Sequence, residues 1–149
     1  REYIQARQSD RPFIEVPAAC TYDELLARDD VDAVYIPLPT ALRRAWVLKA
    51  AEARKHVLCE KPCAVSADEL REMLDSCSEN RVQFMDGVMF MHSARLNAVR
   101  QVLDDKQNIG QIRRIVSQFS FLGPEEFLKN NIRMSSVLEP LGCLGDLGW

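Results

Sequence analysis

Residues 56–62 read HVLCEKP, a short apolar run followed by a charged turn that a proline closes. Residues 32–40, DAVYIPLPT, repeat this design, and Pro37 and Pro39 stop the run because proline cannot continue a central strand. Short, nearly continuous apolar runs are typical of strands buried on both faces of a parallel sheet. The two segments therefore predict buried parallel strands at residues 32–36 and 56–59.

Helical patterns lie before, between and after these two strands. Thr21 with Glu24, and Ser66 with Glu69, match the capping box and predict that a helix begins at each place. The helix between the strands should cover residues 41–54. At helical spacing, the residues predicted to face the core are Leu42, Ala45, Trp46, Ala50 and Ala53 in that helix, and Leu70, Met73, Leu74 and Cys77 in the next.

A third strand is predicted at residues 82–85, so residues 20–90 alternate between helices and strands. Such alternation indicates an α/β fold with a parallel, doubly wound sheet. Upstream, residues 1–9 predict the end of a helix and residues 13–16 a short extended segment.

The pattern changes after residue 90, which predicts a domain boundary near residue 91. Residues 93–104 have the apolar spacing of a helix. Residues 112–121 alternate between less polar and more polar positions, which predicts an antiparallel strand with one solvated face. Residues 123–142 are expected to be mostly irregular.

The composition excludes several classes of protein. The 149 residues are 47% hydrophobic and 28% charged, with a net charge of -3, which argues against disorder and, without a basic stripe, against nucleic-acid binding. No apolar run approaches the roughly 18 residues that a membrane helix needs. The chain begins at Arg1 and ends at Trp149, directly after Gly-Asp-Leu-Gly, so we expect a segment that is incomplete at both ends.

The five cysteines are scattered through apolar segments. A zinc site would need two close pairs of Cys or His, and only Cys59 and Cys63 are close together. We therefore predict no metal. Free, mostly buried thiols indicate a reducing compartment, and with no signal peptide we expect the cytoplasm.

The candidate functional residues follow the first two predicted strands, since ligands of doubly wound sheets bind beyond the carboxyl ends of the strands. The turn Pro37-Leu38-Pro39-Thr40 leads into a helix N-terminus, which favours anions. A plain strand-to-helix turn is the competing interpretation. Lys61, directly after an apolar strand, is partly desolvated and suited to proton transfer, although without further context a surface lysine in a loop is the stronger interpretation.

Other motifs are weaker. Gly142, Gly145 and Gly148 do not match the dinucleotide fingerprint, because the spacing differs and no strand precedes them. Asp146 is either a helix cap or a buried carboxylate of an active site. The pairs Arg43-Arg44 and Arg113-Arg114 are interpreted as solvated faces.

Together, these motifs resemble a known family. The order YDELL (22–26), DAVYIPLPT (32–40), KHVLCEKP (55–62) and GDLG (145–148) resembles the Gfo/Idh/MocA oxidoreductases. The segments at 85–89, 127–133 and 142–149 are similar to the dihydrodiol and D-xylose dehydrogenase branch. The resemblance implies a Rossmann domain, here partial and covering 1–90, and the beginning of an α+β domain at 91–149.

The resemblance also implies a function. Members use NAD or NADP to transfer hydride to or from a sugar, polyol or diol, and the full-length protein is expected to be a homo-oligomer. Lys61 would be the catalytic acid or base, and Asp146, which matches the acid of the family's last motif, would be a second catalytic residue. The partner of Lys61 would be a Tyr or His at position 150, beyond the chain. The cofactor would lie along Leu38, Pro39, Thr40, Glu60, Lys61 and Pro62, the last of these in a cis peptide.

The sequence departs from the family pattern in three ways. The Gly-rich phosphate loop and first strand are absent, Leu38-Pro39-Thr40 replaces Thr-Pro-Asn, and Arg43 stands where a His is common. A non-catalytic binding or assembly module of the same fold therefore stays open beside the dehydrogenase. The retained Lys61 favours the enzyme, and a Gly-x-Gly-x-x-Gly motif upstream would decide between the two.

Overall fold

A computed structural model of the chain describes residues 19–105 and 109–148. The predictions for residues 1–9 and 13–16 lie outside the described residues. The element order is α1 (Tyr22–Leu26), β1 (Ala33–Ile36), α2 (Thr40–Glu52), β2 (His56–Cys59), α3 (Ala67–Glu79), β3 (Phe84–Asp86), a 3₁₀ turn (Met89–His92), α4 (Ala94–Asp104), α5 (Glu125–Asn130), a second 3₁₀ turn (Ile132–Met134) and α6 (Gly142–Leu147).

The three strands form one parallel sheet in the order β1-β2-β3, as the sequence predicts. Val34 is level with Val57, and Cys59 is level with both Ile36 and Asp86. All three strands therefore end at the same edge of the sheet. The residues that follow β1 and β2 are brought together there.

Helices α2 and α3 pack against each other on one face of this sheet, and α2 contacts β1 and β2. The core lies in this layer and is built from Val34, Ile36, Val47, Ala50, Ala51, Val57, Cys59, Met73, Cys77 and Val82. The opposite face carries Tyr35, Leu58 and Met85, one residue from each strand, which remain 54%, 39% and 48% exposed. The prediction that these strands are buried on both faces is therefore wrong for the described residues, because the described helices cover only one face.

The face that helix α2 buries overlaps the predicted one only in part, since Ala50 is buried as predicted. Leu42 and Ala45 are exposed, whereas Arg43 and Val47 are buried together with Ala50. The interpretation of Arg43 as solvated is wrong, since this residue is only 6% exposed. Apolar periodicity missed it because its burial depends on hydrogen bonds to backbone carbonyls and not on apolarity.

Trp46, also assigned to the core face of α2, is partly buried and packs against the core, as predicted, and it contacts α1 as well. Its ring lies edge-on to Tyr22, with centroids 4.8 Å apart, and the ammonium of Lys49 lies 4.4 Å from the Trp46 ring centroid. The pair joins the short helix α1 to α2 at the surface.

Both predicted helix starts are confirmed. Thr21 and Glu24 form a complete capping box, with Thr21 N donating to Glu24 Oε2 at 2.7 Å. Ser66 Oγ accepts from the Glu69 backbone N–H at 3.2 Å, but the Glu69 carboxylate accepts from Val65 N and not from Ser66 N. In this second capping box, the glutamate carboxylate therefore binds the backbone N–H of the residue before the N-cap.

The C-terminal part differs more from expectation. Helix α4 begins after its N-cap Ser93, as predicted. Residues 112–121 form no strand in the described chain, because no second strand lies beside them to accept and donate ladder hydrogen bonds. Residues 123–142, expected to be irregular, include α5 and a 3₁₀ turn. Within the described ranges, no helix is long and apolar enough to cross a membrane.

Candidate active site

The turns that follow β1 and β2 are joined by the buried side chain of Arg43. Its Nε donates to the Leu38 carbonyl at 2.6 Å, and its Nη1 donates to the Glu60 carbonyl at 3.0 Å and to the Pro62 carbonyl. One guanidinium therefore fixes the two turns to each other, and it holds the backbone on both sides of Lys61. The Lys61–Pro62 peptide is cis, as the resemblance implies.

Lys61 and Asp146, separated by 85 positions in the chain, are in direct contact. Lys61 Nζ donates to Asp146 Oδ1 at 2.9 Å and to the Asp146 carbonyl at 2.6 Å. The two side chains are 28% and 25% exposed, so the pair lies at the wall of a cleft, partly shielded from water. The structure thus brings together the two residues predicted as catalytic.

Asp146 reaches this position because α6 approaches the Lys61–Pro62 turn closely. Gly145 is buried, and a Cβ atom there would lie 2.6 Å from Leu141 Cβ and 3.5 Å from Pro62 Cγ. A side chain at position 145 would therefore collide with Leu141, the N-cap residue of α6, whereas its contact with Pro62 would be an ordinary van der Waals contact. Asp146 is the fifth residue of α6, so it is not a helix-start cap. Its carboxylate is partly buried, and its place in an active site stays a prediction.

Arg133 is a second cation on the same carboxylate. Its Nε donates to Asp146 Oδ2 at 2.8 Å. Burial by itself raises the pKa of Asp146, but the hydrogen bond from Lys61 and the charge of Arg133 outweigh burial and lower that pKa below its usual value. Asp146 is therefore an anion at neutral pH, bridging two cations.

The Glu60 carboxylate is held by neighbours on two sides. Tyr35 Oη donates to Glu60 Oε1 at 2.7 Å, and the Lys61 backbone N–H donates to Oε2 at 3.1 Å. The hydrogen bond to Glu60 raises the pKa of Tyr35. Gly87 leaves room for this carboxylate, because a Cβ atom there would lie 3.0 Å from Glu60 Oε2.

The anion-favouring N-terminus of α2 is occupied by a carboxylate of the same chain. Glu139 Oε1 accepts from Thr40 N at 3.1 Å, and Oε2 accepts from Thr40 Oγ1 at 2.5 Å. The adjacent Ala41 N–H donates to the Leu138 carbonyl at 3.0 Å. The sequence argument expected that this helix N-terminus favours anions, and in the structure the carboxylate of Glu139 lies there.

A cavity of 160 Å³ lies between these groups. Four of the six predicted cofactor-binding residues line it, namely Leu38, Glu60, Lys61 and Pro62, together with Arg43, Arg133, Glu139 and Asp146. Pro39 and Thr40 are not among its wall residues, and Thr40 is 1% exposed. A larger cavity of 280 Å³ beside β1 is walled by Tyr22, Trp46 and apolar side chains, so the ionisable cluster marks the smaller cavity as the candidate site.

Sequence reasoning missed three residues of this cluster. Arg133 and Glu139 lie in a segment without apolar periodicity, and neither residue alone signals a long-range contact. Arg43 gave no signal that distinguishes it from Arg44, since both are cations near the start of the same helix, where a positive charge opposes the helix dipole.

The cysteines take no part in the ionic cluster. Cys59 is buried, and contact with Cys63 together with burial raises its thiol pKa, which makes it a poor nucleophile. No group of three His, Cys, Asp or Glu side chains is placed to hold a metal within residues 19–105 and 109–148.

Comparison with known proteins assigns the chain to a family. The sequence model of the oxidoreductase family with an NAD-binding Rossmann fold, Gfo/Idh/MocA, matches residues 5–88. The chain belongs to this family. Its parallel sheet and the Glu60-Lys61-Pro62 turn lie inside the matched region, whereas Asp146 lies outside it.

Two similar proteins are sugar enzymes. The dTDP-3,4-didehydro-2,6-dideoxy-alpha-D-glucose 3-reductase of Streptomyces violaceoruber is 41% identical over 127 residues, which is 85% of this chain and 36% of that protein. The D-xylose 1-dehydrogenase (NADP(+)) 2 of Haloferax volcanii is 41% identical over 106 residues, 70% of this chain and 32% of that protein. The chain thus spans about a third of the length of these relatives.

A solved structure shows the same fold. The 3-ketoreductase KijD10 of Actinomadura kijaniata, in complex with TDP-benzene and NADP, superimposes with a TM-score of 0.60 at 35% identity, covering 69% of this chain and 32% of that one. The predicted family and fold class are confirmed. The family is described as NAD-binding, the Haloferax relative is named for NADP(+), and the KijD10 complex contains NADP, which agrees with the cofactors predicted from the resemblance.

The residues around the cavity fit the reactive end of a nicotinamide cofactor. Lys61 and Asp146 form a hydrogen-bonded ionisable pair at the cavity wall, and Gly87 leaves the Glu60 carboxylate space at the carboxyl edge of the sheet. The described residues provide no matching site for the pyrophosphate end of that cofactor. The glycines at 142 and 145 lie inside α6 and do not form a strand-to-helix phosphate loop, as the sequence predicts.

Proposed function

We propose that this chain carries the proton-transfer site of an NAD(P)-dependent oxidoreductase acting on a sugar, polyol or diol. The observation that carries the proposal is the contact of Lys61 Nζ with Asp146 Oδ1 at 2.9 Å, at the carboxyl edge of the sheet. Membership of an NAD-binding oxidoreductase family and the two sugar-enzyme relatives support the same conclusion.

In this mechanism Lys61 exchanges a proton with the reacting oxygen of the substrate. When an alcohol is oxidised, the neutral amine of Lys61 takes the hydroxyl proton while a hydride leaves the carbon that bears that hydroxyl. When a carbonyl is reduced, the ammonium returns that proton. The nicotinamide, when bound, supplies or accepts the hydride. A positioned general acid or base of this kind speeds the reaction by a factor of roughly 10²–10⁴.

Asp146 holds the lysine amine in place and stabilises its protonated form. It also accepts from Arg133, so its negative charge is shared between two cations. Arg133, 48% exposed beside the cavity, adds a positive charge where substrate oxygens would lie.

The proposed cofactor contacts are Leu38, Glu60, Lys61 and Pro62, which share the cavity wall. Pro39 and Thr40 contribute by shaping the turn and joining it to Glu139. NAD and NADP are both compatible with this set, because it includes no residue predicted to contact the ribose 2′ position.

We also propose that the 149-residue chain has no turnover by itself. Its sequence contains no Gly-x-Gly-x-x-Gly turn to hold a pyrophosphate, so dinucleotide binding should be weak. Titration of the purified chain with NADH and NADPH, followed by fluorescence, tests this. Tight binding of either cofactor would contradict it and would locate a phosphate site inside these residues.

The activity is tested in a protein that contains residues 1–149 and has turnover, here called the active protein. It is incubated with reduced nicotinamide carrying deuterium at C4 and with a panel of keto sugars and aldoses. Mass spectrometry should find deuterium in the product on the former carbonyl carbon. Binding of cofactor without deuterium transfer to any sugar, polyol precursor or dione would favour a non-catalytic module.

Four broader predictions accompany this proposal. A domain boundary near residue 91 would separate the sheet from the C-terminal segment, and the active protein would be a homo-oligomer that binds no nucleic acid. The five unpaired cysteines support a reducing compartment such as the cytoplasm.

A further inference from the structure

Arg43 is a buried cation that needs an explanation. It is 6% exposed and is the fourth residue of α2, so it carries two costs, loss of hydration and opposition to the helix dipole. Among the described residues no carboxylate lies within ion-pair distance of it. Its compensation comes from three backbone carbonyls at the ends of β1 and β2.

These three carbonyls belong to the residues on both sides of Lys61 and to the neighbouring turn. Nη1 binds the carbonyls of Glu60 and Pro62, the residues immediately before and after Lys61. Nε binds the carbonyl of Leu38, in the turn that follows the neighbouring strand. The rigid fork of the guanidinium therefore fixes the position of the Lys61 backbone relative to the next turn, on which substrate and cofactor would also rest.

We propose that Arg43 is a positioning residue, which sets the placement of Lys61 for proton transfer without touching the reacting atoms. This inference rests on the proposed function of Lys61. The side chain of Lys61 is long and flexible, so Asp146 alone fixes only its tip. Arg43 fixes its base, and the two contacts together define where the amine lies.

The first test replaces Arg43 with lysine in the active protein. Arg43→Lys keeps the positive charge but loses the planar fork, because one ammonium cannot hold three carbonyls at the same positions. We expect kcat to fall by about 10- to 100-fold, since a misplacement of about 1 Å can cost 10²-fold. The dissociation constant of the cofactor should change by less than about threefold, because binding is spread over the whole cleft.

The neighbouring residue provides a matched control. Arg44 lies on the same helix, but its side chain is exposed and pairs with Glu72 at the surface. Arg44→Lys should leave kcat and cofactor affinity unchanged. Equal kcat values in the folded Arg43→Lys and Arg44→Lys variants would overturn the positioning role.

The second test separates positioning from folding. Arg43→Ala opens a space that a free guanidinium ion can enter, so millimolar guanidinium should restore kcat several-fold in Arg43→Ala and have no such effect on Arg44→Ala. Absence of rescue in a folded Arg43→Ala protein would overturn the proposal. Loss of folding in both Arg43 variants would assign the residue to stability alone and would overturn it equally.

These outcomes are distinct from failure of the proposed function. If Lys61→Met kept normal turnover, Lys61 would not be the proton-transfer residue, whatever the Arg43 variants did. If Lys61→Met lost turnover while Arg43→Lys behaved like its control, only the positioning role would fail.

Discussion

Glu139 and Thr40 are 99 positions apart in the chain, yet the Glu139 carboxylate accepts hydrogen bonds from both the backbone N–H and the hydroxyl of Thr40, at 3.1 and 2.5 Å. Thr40 is the first residue of α2, which follows β1 directly. The contact therefore attaches the segment that precedes α6 to the carboxyl edge of the sheet. Asp146 is brought to Lys61 through this attachment and through the packing of Gly145.

Removing this carboxylate should destabilise the protein. Glu139→Gln loses an anion at a partly buried helix N-terminus and weakens two hydrogen bonds, so we expect the free energy of unfolding of the active protein to fall by about 1–2 kcal/mol. Denaturant titration measures the change. Glu52→Gln, at the opposite end of the same helix, is the control and should be neutral or slightly stabilising. Equal stability of the two variants would contradict this role for Glu139.

The sheet was predictable because its signals are local. Each signal determines structure over only a few residues. These signals are the apolar runs at β1 and β2, the prolines that follow β1 and the caps at Thr21 and Ser66. Residues 112–121 show the limit of this reasoning. Alternating polarity describes what a strand needs, but a strand forms only where a partner strand is available.

The candidate site was predictable in part. Lys61 and Asp146 could be chosen because the resemblance implies a role for each. Arg43, Arg133 and Glu139 could not, because their contacts are with residues distant in sequence or with backbone carbonyls. Charge patterns on one helix predict a solvated face, and nothing local in the sequence distinguishes buried Arg43 from exposed Arg44.

The cap at Ser66 should contribute measurably to stability. Its hydroxyl satisfies the Glu69 N–H at the start of α3, so Ser66→Ala should lower the free energy of unfolding by about 1 kcal/mol. Ser78→Ala, an exposed position near the end of α3, is the matched control and should change stability little or raise it slightly. If the two serine variants had the same midpoint of denaturation, Ser66 would not act as a cap.

The Lys61–Asp146–Arg133 cluster predicts a pH dependence of stability. Its two cations keep the pKa of Asp146 below the ordinary value of 3.8, so the folded state binds this proton less well than the unfolded state does. The stabilisation is therefore fully present above about pH 4 and is lost as pH falls through the lowered pKa. Asp146→Asn should be less stable than the parent near neutral pH, by about 1 kcal/mol for a pair only partly shielded from water.

This stability difference should shrink as the pH is lowered below about 4, because the protonated parent and the amide variant then carry the same charge at position 146. Thermal melts at a series of pH values measure it. Asp75→Asn, on the exposed side of α3, is the control. A difference for Asp146→Asn that stayed constant from neutral to acidic pH would show that the carboxylate charge contributes no stability.

The measurement that tests the central claim most directly is the turnover of Lys61→Met in the active protein, beside the cofactor dissociation constant of the same variant. Lys129→Met, an exposed lysine paired with Glu125 on α5, is the control and should match the parent in both quantities. Lys61→Met should lower kcat by about 10²–10⁴-fold, the usual range for a general acid or base, while cofactor affinity changes only a few-fold. Near-normal turnover of Lys61→Met, or loss of cofactor binding in place of loss of turnover, would contradict the assignment of Lys61 as the proton-transfer residue.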